Sequence, residues 1–268
     1  MIELAPRHKI GLPLRNPILI GSGFGGYGEA GPRPIPLSLF GALVTGPITL
    51  RPERGAPQPR MVETPHGFIL TTGQQNPGVK KILHDYTPWW QRLGTPVIAH
   101  LPAADPDDLQ RTARALAANT PLAALELGAP DEAWPEEVWR WVSAIRDGSE
   151  LPLLVKLPLA GPPELAEAAM EAGADALVVG AAPLGAAFTP DRTHLVSGPL
   201  YGPAVHNLAL ARLQATAARL DIPCVAAGGI HTLAQVEDFL RAGAVAVQLD
   251  ALLWVEPEQA EAIIINYQ

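Results

Sequence analysis

The sequence predicts an α/β fold, a (β/α)8 TIM barrel that occupies residues 1–268 as one domain. Eight short apolar runs recur along the chain, and amphipathic segments of helical period follow most of them. The length of 268 residues suits one such barrel, whose usual size is about 250 residues. A doubly wound open sheet uses the same alternation and is the competing arrangement.

The predicted strands are Asn16 to Gly21, Ala42 to Gly46, Pro96 to Leu101, Pro121 to Leu127, Pro152 to Leu157, Asp175 to Gly180, Ile222 to Ala227 and Ala244 to Leu249. Most are apolar throughout, as expected of parallel strands buried on both faces. The predicted helices are Asp105 to Ala118, Pro135 to Arg146, Glu164 to Ala172, Asn207 to Leu220 and Leu233 to Ala242. Their apolar residues, such as Val138, Trp141, Val142 and Ile145, fall on one side. Ala172-Gly173-Ala174-Asp175 and Ala242-Gly243-Ala244 each end a helix and enter a strand, with glycine at the left-handed position past the helix end. Two Gly/Pro-rich stretches, about 50–78 and 181–203, interrupt this rhythm. Loops of that length in a compact domain commonly bind or catalyse. Both follow strands, which places them on the C-terminal face where barrel sites lie.

Composition narrows the function. Apolar residues make up 48% of the chain and charged residues 17%, which supports a large core and excludes wholesale disorder. The net charge of −8 and the lack of a basic stripe argue against nucleic acid. The single cysteine, Cys224, excludes an intrachain disulfide and a cysteine-based zinc site, and no cluster has metal-ligand spacing. The sequence has no apolar run of about 18 residues for a membrane span. Met1 to Arg7 has no signal-peptide core, so a cytoplasmic protein is expected.

Several residues are candidates for chemistry. Lys156 stands in Leu153-Leu154-Val155-Lys156-Leu157-Pro158, where a lysine must reach the barrel mouth to be solvated. There it would hold an anionic ligand or a reduced cofactor; the plain alternative is a snorkelling strand-end lysine. Gly228-Gly229 ends the seventh strand and precedes a helix, so its backbone N–H groups suit an anion, although a simple turn fits as well. Ser197-Gly198-Pro199 reads as the opening of another helix, with a hydroxyl for the same phosphate. His100 ends the third strand, as an acid or base or as a structural histidine. His66 and His231 read as loop histidines near the mouth or merely exposed. Cys224 reads as a core residue, and Trp89-Trp90 as packing or an oligomer contact.

The stretch from Thr49 to Arg60 continues through Gly67 and Gly73-Gln74-Gln75-Asn76-Pro77-Gly78. Asn16-Pro17, Gly21-Ser22-Gly23, Val155-Lys156-Leu157, Ser197-Gly198-Pro199, Gly228-Gly229-Ile230 and Ala242-Gly243-Ala244 complete a series. In order and spacing, from about Asn16 to Leu252, the series resembles the dihydroorotate dehydrogenase family, the FMN-dependent barrel enzymes of pyrimidine biosynthesis. The resemblance implies an oxidoreductase with FMN across the barrel mouth. Gly21, Ser22 and Gly23 would line the isoalloxazine edge, and Lys156 would contact the ring and favour its anionic reduced form. Ser197, Gly198, Gly228 and Gly229 would hold the phosphate, and Thr72, Gly73, Gln74 and Glu126 would face the substrate. It further implies a homodimer and, as in some members, an electron-transfer subunit. The chain has no cysteine set for an iron–sulfur cluster, so that relay would need a partner chain.

The chain also departs from the family pattern. In the family a hydride passes to flavin N5 while a Cys or Ser on a mobile loop takes the proton. The matching loop, Leu125-Glu126-Leu127-Gly128-Ala129-Pro130-Asp131, carries Ala129 at that position, and a general base must be titratable. The family's substrate-caging asparagines align with Leu70, Glu126, Asp131 and Gly180, and its lysine after the second strand aligns with Gly46. Dihydroorotate is therefore not the expected substrate, and Lys156 and His100 are the candidate catalytic residues. Glu126 and Lys156, on adjacent strands, are expected to form an ion pair. Asp250-Ala251 replaces a small pair whose N–H groups meet the phosphate, and a carboxylate opposes a phosphate at low dielectric. Two other readings stand beside the oxidoreductase. One is a flavin-free barrel that binds a phosphorylated metabolite as a lyase or isomerase. The other is a non-catalytic paralogue.

Overall fold

A computed structural model describes residues 1–29, 35–118 and 120–268. The eight predicted strands all form. They are β1 (Ile18–Ile20), β2 (Ala42–Pro47), β3 (Val97–Pro102), β4 (Ala124–Gly128), β5 (Leu153–Pro158), β6 (Ala176–Ala181), β7 (Cys224–Ala227) and β8 (Ala246–Leu249). Each pairs in parallel with its neighbours in sequence, and β8 closes on β1 through Val247↔Ile18 and Leu249↔Ile20. The open sheet is thereby excluded.

Alternation along the strands builds two layers of core. Leu43, Leu125, Leu127, Val155, Leu177, Val179 and Val247 point outward and pack with the helices. Leu19, Val44, Ile98, Leu154, Val178 and Val225 point inward. The inner cluster also takes in Leu4, Leu12 and Leu14 of the N-terminal segment, whose Ile2–Glu3 and Pro13–Leu14 strands form a hairpin. That segment fills the N-terminal end of the barrel and leaves the other end for a site.

The helices are α1 (Val79–Trp90), α2 (Pro106–Ala118), α3 (Pro135–Gly148), α4 (Glu164–Glu171), α5 (His206–Ala217), α6 (Leu233–Arg241), α7 (Leu252–Val255) and α8 (Pro257–Ile265). The five predicted helices appear within a few residues of their expected ends. Gly173 and Gly243, both at φ +108°, supply the left-handed turns after α4 and α6. Helix α1 escapes a periodicity reading because Pro88 and the paired tryptophans interrupt its pattern. Trp90 is buried and donates its indole N–H to the Tyr27 carbonyl at 2.8 Å. Trp89 donates to the Gly28 carbonyl at 3.0 Å. Both side chains thus anchor α1 against the loop after β1.

The two Gly/Pro-rich excursions are not loops alone. Met61–Thr64 pairs with Gly67–Leu70, and Leu184–Phe188 pairs with Leu195–Tyr201. The two hairpins join through Leu200↔Ile69 and Tyr201↔Phe68 into one four-stranded antiparallel sheet. Val62, Ile69 and Val196 make its small core. Ser197 and Gly198 lie inside this sheet and not at a helix start. A Cβ on Gly198 would come within 2.9 Å of the Thr71 Cβ. The helix instead opens after Gly202, through the short turn Pro203–Val205 and then α5.

Asn76 fixes the base of the first excursion. Its Oδ1 accepts the Gly78 N–H at 2.8 Å, and its Nδ2 donates to the Gln74 carbonyl at 2.9 Å and to Thr49 Oγ1 at 2.8 Å. Its backbone bridges to Glu53 in both directions, at 2.9 and 3.1 Å. Asn76→Ala would strand buried backbone groups and is expected to cost about 2–3 kcal/mol, read as a lower urea midpoint. An unchanged midpoint would show that the excursion does not depend on this side chain.

Candidate active site

Above the apolar inner layer, the next inward positions on β3, β4, β5 and β8 are polar. Strand alternation aims His100 of β3, Glu126 of β4, Lys156 of β5 and Gln248 of β8 into the barrel near its C-terminal end. They form one chain of hydrogen bonds. His100 Nδ1 lies 2.8 Å from Glu126 Oε1. Gln248 Nε2 donates to Glu126 Oε2 at 2.5 Å. Lys156 Nζ donates to Gln248 Oε1 at 2.8 Å and reaches Ser22 Oγ at 3.4 Å. The expected Glu126–Lys156 ion pair is therefore not direct, because Gln248 stands between the two charges.

Glu126 is fully buried. Burial pushes its pKa up, yet the Lys156 charge and the bonds from His100 and Gln248 outweigh that. The carboxyl stays below its ordinary range and is ionised. With Glu126 as a carboxylate, Nδ1 of His100 is the donor, and Nε2 is free to act as a base when the ring is neutral. Nε2 makes no hydrogen bond among the described residues and reaches solvent. The ring fits because position 128 is glycine. A Cβ there would fall 2.7 Å from His100 Cε1 and 3.0 Å from Nε2. On the other side, Thr45 Oγ1 accepts the His100 backbone N–H at 3.1 Å.

The loop after β1 caps this floor. Gly21 donates its N–H to the Leu249 carbonyl at 2.7 Å and Gly23 to the Thr45 carbonyl at 3.2 Å. Gly23, at φ +87°, leaves open space where a side chain would stand. The structure thus gathers Gly21, Ser22, Gly23, His100, Glu126 and Lys156. Ala129 follows β4, is buried, and donates its N–H to the Lys156 carbonyl at 2.9 Å. Tyr27 fills the space beside Gly46 and donates its hydroxyl to the Pro47 carbonyl at 2.7 Å. Asp131 accepts the Leu184 N–H at 3.1 Å, tying the β4 loop to the excursion sheet. Thr72, Gly73 and Gln74 sit in an exposed turn bonded to the 53–60 segment. Among the described residues no hydrogen bond links them to the floor. His66 is exposed at a hairpin tip, and Cys224 is buried, its thiol pushed up to about 11 by that burial.

Gly228 and Gly229, at φ +100° and +72°, turn tightly after β7. A Cβ on Gly229 would lie 2.4 Å from the His206 nitrogen and 3.1 Å from the Gly202 carbonyl oxygen. So the Gly202-Pro203 turn, rather than Ser197-Gly198, packs on this pair. His231 follows the turn, half-buried, with Nε2 unpartnered. At the tip of β8, Asp250 is only 8% exposed and accepts the Ala251 N–H at 2.6 Å. Burial lifts its pKa to about 6.

Residues 7–266 match the family described as dihydroorotate dehydrogenase. The chain is 31% identical over 269 residues to the catalytic subunit of dihydroorotate dehydrogenase B (NAD(+)) of Geotalea uraniireducens, covering 94% of this chain and 88% of that protein. It is 34% identical to the protein of the same name from Trichlorobacter lovleyi, with the same coverage of 94% and 88%. The Bacillus thuringiensis counterpart is 30% identical, with 95% and 87% covered. The chain belongs to the dihydroorotate dehydrogenase family.

Against that family's cofactor the site divides in two. The floor suits a flavin ring: Lys156 offers an amine beside Ser22, and Gly23 leaves space. The phosphate end does not fit FMN, because a buried carboxylate at the tip of β8 already holds the Ala251 N–H. Gln248, Gly128 and Gly202 were missed from sequence. Gln248 carried the one usable signal, a lone polar residue in the apolar run Ala246–Leu249.

The folded-state pKa of Asp250, about 6 against an ordinary 3.8, lies above the unfolded value. The group therefore subtracts stability as pH rises through the interval between those values, and the penalty persists at higher pH. Asp250→Asn should stabilise the fold at pH 7.5 by about 1–3 kcal/mol and change little near pH 4. Thermal melts at the two pH values check this, and an equal shift at both would refute it.

Proposed function

We propose that the protein is a divergent, flavin-dependent oxidoreductase of the dihydroorotate dehydrogenase family whose small-molecule substrate is not dihydroorotate. The observation that carries this reading is the floor cluster. Lys156 stands beneath the mouth next to Ser22, while Ala129 offers no proton acceptor and Glu126 presents a buried negative charge. A substrate carboxylate brought near Glu126 would be repelled in a low-dielectric site.

Proton transfer falls to His100. Its Nε2 lies beside Gly128, one residue before Ala129, and Glu126 accepts from Nδ1. That bond fixes the tautomer and the orientation of the ring. Lys156 supplies positive charge and hydrogen bonds at the floor, oriented by Gln248.

The printed name of the relatives, catalytic subunit, supports an arrangement in which electrons leave through a partner chain. The exposed Met61, Leu184, Phe188 and Leu195 on the excursion sheet support a homodimer. Among the described residues no helix is long and apolar enough to cross a membrane, and together with the unpaired Cys224 this supports a cytoplasmic enzyme. Buried Asp250 is the observation that favours a second reading, a flavin-free barrel.

Purified protein should keep a visible flavin band through desalting, and dihydroorotate should leave that band unbleached. A colourless protein that ignores added flavins removes the oxidoreductase reading; bleaching by dihydroorotate removes the substrate reading. For any donor that bleaches the band, His100→Asn should slow the reduction by about 10²–10⁴-fold while flavin binding is kept. Equal rates for variant and wild type would take His100 out of the proton path.

A further inference from the structure

We propose that Asp250 makes this site select a flavin that lacks a phosphate, a riboflavin-type ligand whose polyol hydroxyl meets the tip of β8. The inference rests on the flavin reading above and deepens it. Barrels commonly place a ligand phosphate between the loops after the seventh and eighth strands. Here the seventh-strand side is the bare backbone of Gly228-Gly229, packed on Gly202 and His206. The eighth-strand side is Asp250, next to the loop after β1: a Cβ on Gly21 would lie 3.7 Å from the Asp250 Cβ.

Hydrogen bonding decides between the two ligand types. Asp250 Oδ1 already takes the Ala251 N–H at 2.6 Å, so that donor is not free for a ligand anion. The remaining carboxylate lone pairs can only accept. A phosphate brings acceptors and negative charge to an acceptor with negative charge. A hydroxyl brings a donor, the pairing by which an acidic residue holds a ribose hydroxyl in nucleotide-binding folds.

The surroundings do not reverse this. Lys156 is the cation felt at Asp250, and its amine is held by Gln248 at 2.8 Å. Tyr201 is the other group in the field of Asp250, and it stays a neutral phenol because burial and that carboxylate raise its pKa. Its ring packs against Phe24 at 5.0 Å and Phe68 at 5.6 Å, which makes this side of the mouth aromatic. Among the described residues no ion pair joins Asp250 to a lysine or arginine.

The test titrates riboflavin and FMN, by quenching of flavin fluorescence, into the wild-type protein, Asp250→Ser and Asp250→Asn. Wild type should bind riboflavin at least about tenfold tighter than FMN, a 1.4 kcal/mol difference. Asp250→Ser should gain at least that factor for FMN, and inorganic phosphate should then compete with FMN. Asp250→Asn keeps the shape of the side chain and should also erase the preference, which guards against a misfolded serine variant. A wild type that prefers FMN, or a preference unchanged in both variants, overturns the inference and leaves the flavin reading standing. Failure of all three proteins to bind either flavin overturns both.

Discussion

The upper half of the barrel is organised around the buried carboxylate of Glu126. An ionised group without water must have its lone pairs bonded and its charge balanced, or the fold does not form around it. Three strands answer that demand: β3 supplies His100, β8 supplies Gln248, and β5 supplies Lys156 at one remove. Each partner has to point inward at the same height, which ties the register of β3, β4, β5 and β8 to a single atom group. The apolar layer beneath, closed by Leu4, Leu12 and Leu14, seals the network from the N-terminal end.

The same demand shapes the surrounding backbone. Position 128 is glycine because the His100 ring occupies the space of its side chain. Thr45 holds the His100 backbone on one side, and the Ala129 N–H binds the Lys156 carbonyl on the other. Outside the barrel, Asn76 and Asp131 carry constraint into the excursions, whose hairpins close on each other through Tyr201 and Phe68. The mouth is therefore framed by segments that hold one another as well as by the strands.

What sequence makes legible here follows from range. The eight strands are readable because burial on both faces makes each an apolar run, and five helices are readable because one stripe repeats at helical period. Helix α1 is hidden by Pro88, and the excursion strands by their glycines and prolines. Ser197-Gly198-Pro199 is misread as a helix opening because its local pattern resembles one. Only the pairing of Leu200 with Ile69 puts it in a sheet and leaves Gly202 against Gly229. Lys156 and His100 are readable as polar residues in apolar strands. That Gln248 would separate Lys156 from Glu126 depends on a contact spanning 122 residues, which no local pattern contains.

The positions at which the resemblance implies a departure from the family pattern each have a packing partner in the structure. At Gly46, which the resemblance aligns with a family lysine, Tyr27 fills the space and bonds Pro47. Beside Ala129, which the resemblance aligns with the family's loop base, Gly128 admits the imidazole of His100, and Glu126 binds that ring at Nδ1. A barrel that served as scaffold alone would gain nothing from this cluster, since apolar residues of similar volume are commonly as stabilising as a buried charge network or more so. Removing one partner of such a network typically costs about 3–5 kcal/mol, so a site in decay would pass through unstable intermediates with an orphaned charge. Here both oxygens of Glu126 are bonded, Lys156 is bonded, and Nε2 of His100 has no hydrogen bond among the described residues. A paired network that leaves one ring nitrogen without a partner among the described residues is compatible with the proton-transfer role proposed above for His100.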